Sequence, residues 1–236
     1  MSVFFSFFTN QESSPPDVTP ALIFSCFAVL LLLTYTSLRF YRHKVYRSFF
    51  KGVQLLQMSL LYSWYLLMAF SLTDSLPFYH CRMAMFAIVF LPDRHPWKRY
   101  FALIGFVGSI LSFVSPVFDN YPVGHVTIFS YIIGHFALFV NCLVYLLQDD
   151  EEQLTLEGIV LGTLSLNTFL SIVNVVTGGN YGFLRVTPLI GGVSAPVRFV
   201  AVSAVLILLV SLLNHFFAIK GKQVRESVMK KIADMR

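Results

Sequence analysis

Charge is scarce in this sequence. Only 12% of its 236 residues are Asp, Glu, Lys or Arg, roughly half the share of about 25% usual in soluble domains, and that argues against a water-exposed globule. The pattern of a membrane β-barrel is missing too, because the apolar runs are far longer than alternating segments of about ten residues. Cysteine is rare and odd in number. Cys26, Cys81 and Cys142 fall in separate apolar runs, so no disulfide framework or CxxC clip is readable. Cys26 and Cys142 read as small buried hydrophobes. No HxxxH or HExxH spacing occurs, which leaves a metal site as a weak alternative built from His80, Cys81, His125 and His135. Residues 1–17 contain no Lys or Arg, so a secretory signal lacks its basic n-region, and the N-terminus reads as uncleaved, short and exposed. No internal repeat is visible, and no low-complexity tract beyond the leucines at 30–33.

What remains is apolar. Hydrophobic residues make up 56% of the chain, and the mean hydropathy is +0.71. At about 20 residues per crossing, the length accommodates about seven transmembrane helices. The expected fold is therefore all-α, a polytopic membrane helix bundle, with spans near 19–38, 49–71, 77–92, 98–118, 124–147, 155–176 and 197–219. Around them lie a short N-terminus (1–18), the seven-helix domain (19–219) and a basic tail (220–236). A Gly/Pro-rich connection covers 177–196.

The basic residues orient this bundle. Loop 39–51 holds Arg39, Arg42, Lys44, Arg47 and Lys51, loop 92–99 holds Arg94, Lys98 and Arg99, and the tail holds six more. With the N-terminus outside and the C-terminus cytoplasmic, all of these lie on the cytoplasmic side, as the positive-inside rule prefers. The acidic run at 149–152 also falls there, but acidic residues orient weakly. The net charge of +5 is thereby explained by topology, and no nucleic-acid partner is implied. The expected location is a cell membrane, multi-pass. Arg82, Arg185 and Arg198 are the remainder, and all three fall at the outer face, where that rule gives no reason for them.

Polar groups inside the spans are few. His135 and Asn141 lie in the fifth, and Ser165, Asn167, Ser171 and Asn174 in the sixth. Asn167, Ser171 and Asn174 are spaced by four and three, so they share a face that should point inward. Gly105, Gly108 and the serines at 109, 112 and 115 offer small residues for close packing. Pro77 marks the entrance of the third span, and Pro116 ends or kinks the fourth.

The densest chemistry lies in Asp74-Ser-Leu-Pro-Phe-Tyr-His-Cys-Arg82. Ionisable and nucleophilic groups at membrane depth are expensive and therefore point to a site. Cys81 is the candidate nucleophile, provided an imidazole takes its proton. His80 is about 100° round a helix from Cys81 and should not face it. A base from another span fits better, with His135 the first candidate and His125 the fallback. Cys81 is expected about 6 Å below its helix start and His135 about 12–17 Å below its own, so the two meet only if their helices are staggered.

Several stretches match a known family. They are Leu76-Pro77-x-x-x-Cys81, Gly108 followed by Ser115-Pro116, Gly134-His135, and the block from Asn174 through Gly178-Gly179-Asn180-Tyr181-Gly182-Phe183-Leu184 to Pro188. Over roughly residues 50–215 the chain resembles the bacterial YwaF-type membrane proteins and their eukaryotic relative, transmembrane protein 164. The resemblance implies a multi-span helical fold and, for the eukaryotic member, cysteine-dependent acyl transfer to phospholipid. Cys81 would then be the acyl-accepting thiol and His135 its partner. The family commonly places a histidine two residues after the proline, where this chain has Tyr79 and carries His80 one position later.

The expectation is thus a cysteine-dependent acyltransferase acting on phospholipid or a related lipid at the outer leaflet, with Cys81 and His135 catalytic. Asn174, Asn180, Tyr181, Arg185 and Arg82 would bind substrate, the arginines pairing with lipid phosphate. Membrane lipid is the expected partner, and no cofactor is implied. The alternative is a non-catalytic transporter or lipid-binding scaffold that uses the same polar groups.

Overall fold

A computed structural model describes residues 6–148, 153–187 and 192–233, with side chains to Ile219. From Pro20 on, the described residues form α1 (Pro20–Phe40), α2 (Lys44–Met68), α3 (His80–Phe90), α4 (Pro96–Val114), α5 (Val126–Gln148), α6 (Leu156–Thr177) and α7 (Ala195–Ala233). A single 3₁₀ turn, Tyr181–Phe183, interrupts the α6–α7 connection. Among the described residues there are no strands, so the chain is an all-helical bundle.

Local chemistry sets the helix ends. Thr19 caps α1 by accepting from the Leu22 amide at 3.2 Å, and Pro20 follows it at the first helical position, where a missing N–H costs nothing. Thr155 caps α6 through the Gly158 amide at 3.0 Å, and Gly178 closes that helix in the left-handed region at φ 77°, a C-terminal geometry suited to glycine. Helix α4 ends at Val114, two residues before Pro116, as a proline that cannot continue the helix requires.

Helix α5 forms the centre. Of its apolar stretch 72% is buried, against 17% for α1 and 11% for α7, so α1 and α7 form part of the periphery. Leu31, Val175 and Val176 are each more than 70% exposed. Exposed apolar surface on this scale suits a lipid surround. Among the described residues, five helices are long and apolar enough to cross a membrane: α1, α4, α5, α6 and α7. Helix α2 is long enough at 25 residues, but it begins with Lys44, Arg47 and Lys51 and carries Gln54 and Gln57, all of which lower its hydropathy.

Close approach of α3, α4 and α5 depends on glycine. A Cβ at Gly105 would lie 2.7 Å from the Cys142 sulfur and 3.0 Å from Ala84 Cβ and Leu138. Cys26 and Cys142 are buried in this core. Within the stretch expected to lie exposed, Phe7 and Phe8 pack against the cluster around Trp64, while residues 10–14 are exposed.

One expectation is corrected. The third span was placed at 77–92, but α3 has 11 residues and starts at His80. At 1.5 Å per residue it is about 16 Å long, roughly half of a hydrocarbon core of about 30 Å. The preceding residues, 69–79, are irregular because their backbone is held by side chains: Ser75 Oγ accepts from the Ser71 amide at 2.8 Å, and Tyr181 Oη accepts from the Leu76 amide at 3.1 Å. The chain enters the bundle as a loop, so the first turn of α3 lies within the protein and not at its rim.

Candidate functional site

That first turn opens into a cavity of about 340 Å³, walled by α2, α3, α4, α5, the 3₁₀ turn and α7. The volume is in the range of about 300–1,000 Å³ common for small-molecule sites. Most of the wall is apolar: Leu61, Met85, Ile104, Val107, Leu111, Val205 and Leu206. Its polar groups are the informative part.

Cys81 and His135 both line this cavity. Because α3 starts only at His80, the thiol sits in its first turn, beside the 69–79 loop. Cys81 stands opposite Gly108, where a Cβ would lie 2.7 Å from the sulfur. The glycine therefore makes room for the thiol. Its residue remains partly accessible, in contrast to the buried Cys26 and Cys142.

His135 is 8% exposed. Its Nδ1 lies 2.6 Å from the carbonyl oxygen of Tyr131, one turn earlier, and only a protonated Nδ1 makes that bond. The lone pair is therefore on Nε2, which has no hydrogen-bond partner among the described residues. Tyr131 is itself fixed, since its hydroxyl donates to the Ser112 carbonyl at 2.6 Å and accepts from the Val117 amide at 3.3 Å. Its ring lies 4.6 Å from the imidazole, and Phe113 adds an edge contact at 6.1 Å. The base-type nitrogen is thus held in one tautomer by a packed support.

The backbone adds a second feature. Tyr79 is the N-cap of α3 and gives no side-chain cap, so the amides of His80, Cys81 and Arg82 have no acceptor among the described residues. The next amide, that of Met83, bonds the Tyr79 carbonyl at 2.9 Å. Free amides at a helix start attract negative charge.

Arg82 also lines the cavity. One terminal nitrogen donates to the Asp74 carbonyl at 2.6 Å and the other to the Tyr65 hydroxyl at 2.8 Å. Its guanidinium lies 5.2 Å from the Tyr65 ring and 4.9 Å from that of Tyr79. A guanidinium has five donors, so these two bonds do not exhaust it. Asp119 also lines the cavity.

The other expected substrate-binding residues are placed differently. The Asn174 amide brackets Tyr181, donating to its carbonyl at 2.9 Å and accepting from its amide at 2.6 Å. Asn180 donates to the Val186 carbonyl and accepts from the Arg185 and Val186 amides at 2.8–3.0 Å. Tyr181 donates its hydroxyl proton to the Leu72 carbonyl at 2.8 Å. Arg185 bonds the Gly178 carbonyl at 2.5 Å, and Arg198 bonds the carbonyls of Arg185 and Val193. These groups bond backbone of the α6–α7 connection and of the 69–79 loop and are not in the cavity wall. What they hold is Gly182 and Phe183, which are in it.

His125, the fallback base, has both nitrogens occupied, by the Thr9 carbonyl and the Thr127 hydroxyl at 2.9 Å. Sequence reasoning missed Gln57, Ser130, Tyr131 and Asp119 as wall residues. Only the dyad of Gln57 with Ser130 had a readable signal, as two polar side chains within apolar runs. Among the described residues, no three His, Cys, Asp or Glu are grouped to hold a metal ion.

Fold and site together define a polytopic helical membrane protein whose internal cavity presents a thiol, an imidazole and a guanidinium. The chain belongs to the TMEM164 family, whose model matches residues 7–215. No curated protein and no solved structure matches it significantly.

Proposed function

We propose that the protein is a cysteine-dependent acyltransferase acting on membrane phospholipid. The observation that carries this reading is the cavity shared by Cys81 and His135, with the imidazole held so that Nε2 is the proton-accepting nitrogen. His135 takes the thiol proton as the sulfur attacks the ester carbonyl of the lipid. The C–S bond forms, the ester C–O bond breaks, and the proton passes from His135 to the departing lysolipid oxygen. The free amides of Cys81 and Arg82 at the start of α3 are suited to the oxyanion that develops.

Arg82 offers its remaining donors to the lipid phosphate. Asn174, Asn180, Tyr181 and Arg185 serve substrate binding indirectly, by shaping the wall at Gly182 and Phe183. Under the positive-inside orientation the cavity mouth faces the outer leaflet. The resemblance to transmembrane protein 164 supports the same reaction class.

Reconstituting the full chain in vesicles with acyl-labelled phospholipid tests the reading. A thioester on Cys81, labile to hydroxylamine and absent in Cys81→Ala, is expected. A variant that keeps wild-type lipid remodelling without Cys81 would overturn the covalent route and favour a lipid-binding or transport role.

A further inference from the structure

His80 is the group in this cavity that the reaction above leaves unused. Its Nε2 lies 2.8 Å from Oδ1 of Asn167, and Nδ2 of Asn167 donates to the Ser203 hydroxyl at 2.9 Å. Asn167 turns its oxygen to His80 and its nitrogen to Ser203, and in that orientation His80 donates from Nε2. The lone pair of His80 is therefore on Nδ1. That nitrogen has no partner among the described residues.

Gly182 packs against the same edge of the ring. A Cβ at residue 182 would lie 2.8 Å from Cε1 of His80 and 3.4 Å from Nδ1. Gly182 has φ +67° and is followed by Phe183 at φ 56°, a left-handed pair that is uncommon for a non-glycine residue. Asn174 holds this turn through its two bonds to Tyr181. Gly182 and His80 both line the cavity. The chain thus maintains an unusual backbone that admits the His80 ring at the cavity wall. His135 lines the same space from the α5 wall, while His80 stands beside the 3₁₀ turn.

We propose that His80 is a second catalytic histidine, dedicated to the acyl acceptor, with Asn167 and Ser203 as its positioning residues. The proposal rests on the acyltransfer reading. The acceptor is a hydroxyl-bearing lipid such as a lysophospholipid. Its oxygen attacks the thioester carbonyl of acyl-Cys81 and gives its proton to Nδ1 of His80. The new C–O bond forms, the C–S bond breaks, and the imidazolium returns the proton to the Cys81 thiolate, restoring both groups. His135 and His80 then divide the two half-reactions, loading and discharge.

The test follows the Cys81 thioester by intact-protein mass spectrometry, in vesicles of phosphatidylethanolamine and phosphatidylglycerol, before and after lysophosphatidylethanolamine is added. His80→Gln is expected to load like the wild type and to discharge about 100-fold more slowly, the scale of general-base removal. Asn167→Ser keeps the imidazole and should discharge at an intermediate rate with a shifted pH profile, which lost packing alone would not produce. If His80→Gln does not fold, Asn167→Ser decides, and discharge with unchanged rate and pH profile overturns the proposal. So does a His80→Gln protein that discharges normally, or one that fails to load as His135→Gln does. Absence of any thioester in the wild type refutes the acyltransfer reading, and this assignment with it.

Discussion

A glycine opposite a thiol is a sensitive arrangement, and Gly108 is where it can be probed. Alanine at 108 would put a methyl 2.7 Å from the Cys81 sulfur, well inside contact distance, so the thiol must swing away. Gly108→Ala should slow maleimide labelling of Cys81 and its acyl loading by about tenfold, at a stability cost of about 1–3 kcal/mol for overpacking. His135 makes a different demand. His135→Gln removes the accepting nitrogen, and loading should fall about 10²–10⁴-fold while thermal stability in detergent changes little. A large loss of stability with loading retained per folded molecule would mean that the imidazole is only a packing group.

At the scale of elements, the half-length α3 and the α6–α7 connection build the site together. Asn174 is 2% exposed and makes both of its amide bonds to the Tyr181 backbone. Asn174→Ala leaves a buried donor and acceptor unpaired, which should cost about 2 kcal/mol or more in thermal unfolding, and Asn174→Asp should fall between. Apolar run lengths made the helices legible in the sequence, and the four-three spacing put Asn167 and Asn174 inside, where both are found. The start of α3 was not legible. Pro77 signals an entrance, but the loop at 69–79 is set by bonds to Tyr181, more than a hundred residues away. For the same reason the sequence singled out Cys81 and His135 as candidates without showing that one cavity wall holds both, and it gave no sign of the local backbone carbonyls and amides that engage Asn180 and Arg185.

Over the whole molecule, the two ends of the bundle are held differently. At the cavity end, aromatic packing joins the hydrogen bonds described above: Trp64 contacts Tyr121 and His125 at 5.1 and 4.8 Å. At the other end, charge and hydrogen bonds tie helices together. Arg47 bonds Gln148 at 2.8 Å, and Lys98, 2% exposed, bonds Asp93 at 2.7 Å. The Lys98 bond holds the Asp93 carboxyl below the usual range. Because its folded pKa is depressed, its contribution is present above an unfolded value of about 3.9 and is lost as pH falls through the lower, folded value. Asp93→Asn should flatten that acid limb in pH-dependent unfolding and cost about 1 kcal/mol at pH 7, a modest figure because the carboxylate is largely exposed and screened. The most direct measurement of the central claim is the mass of the Cys81 peptide after the wild-type protein is quenched during turnover of a phospholipid with an isotope-labelled acyl chain. The account predicts a labelled, hydroxylamine-labile acyl group on Cys81 that is lost in His135→Gln; lipid remodelling with no acyl group ever on Cys81 would contradict it.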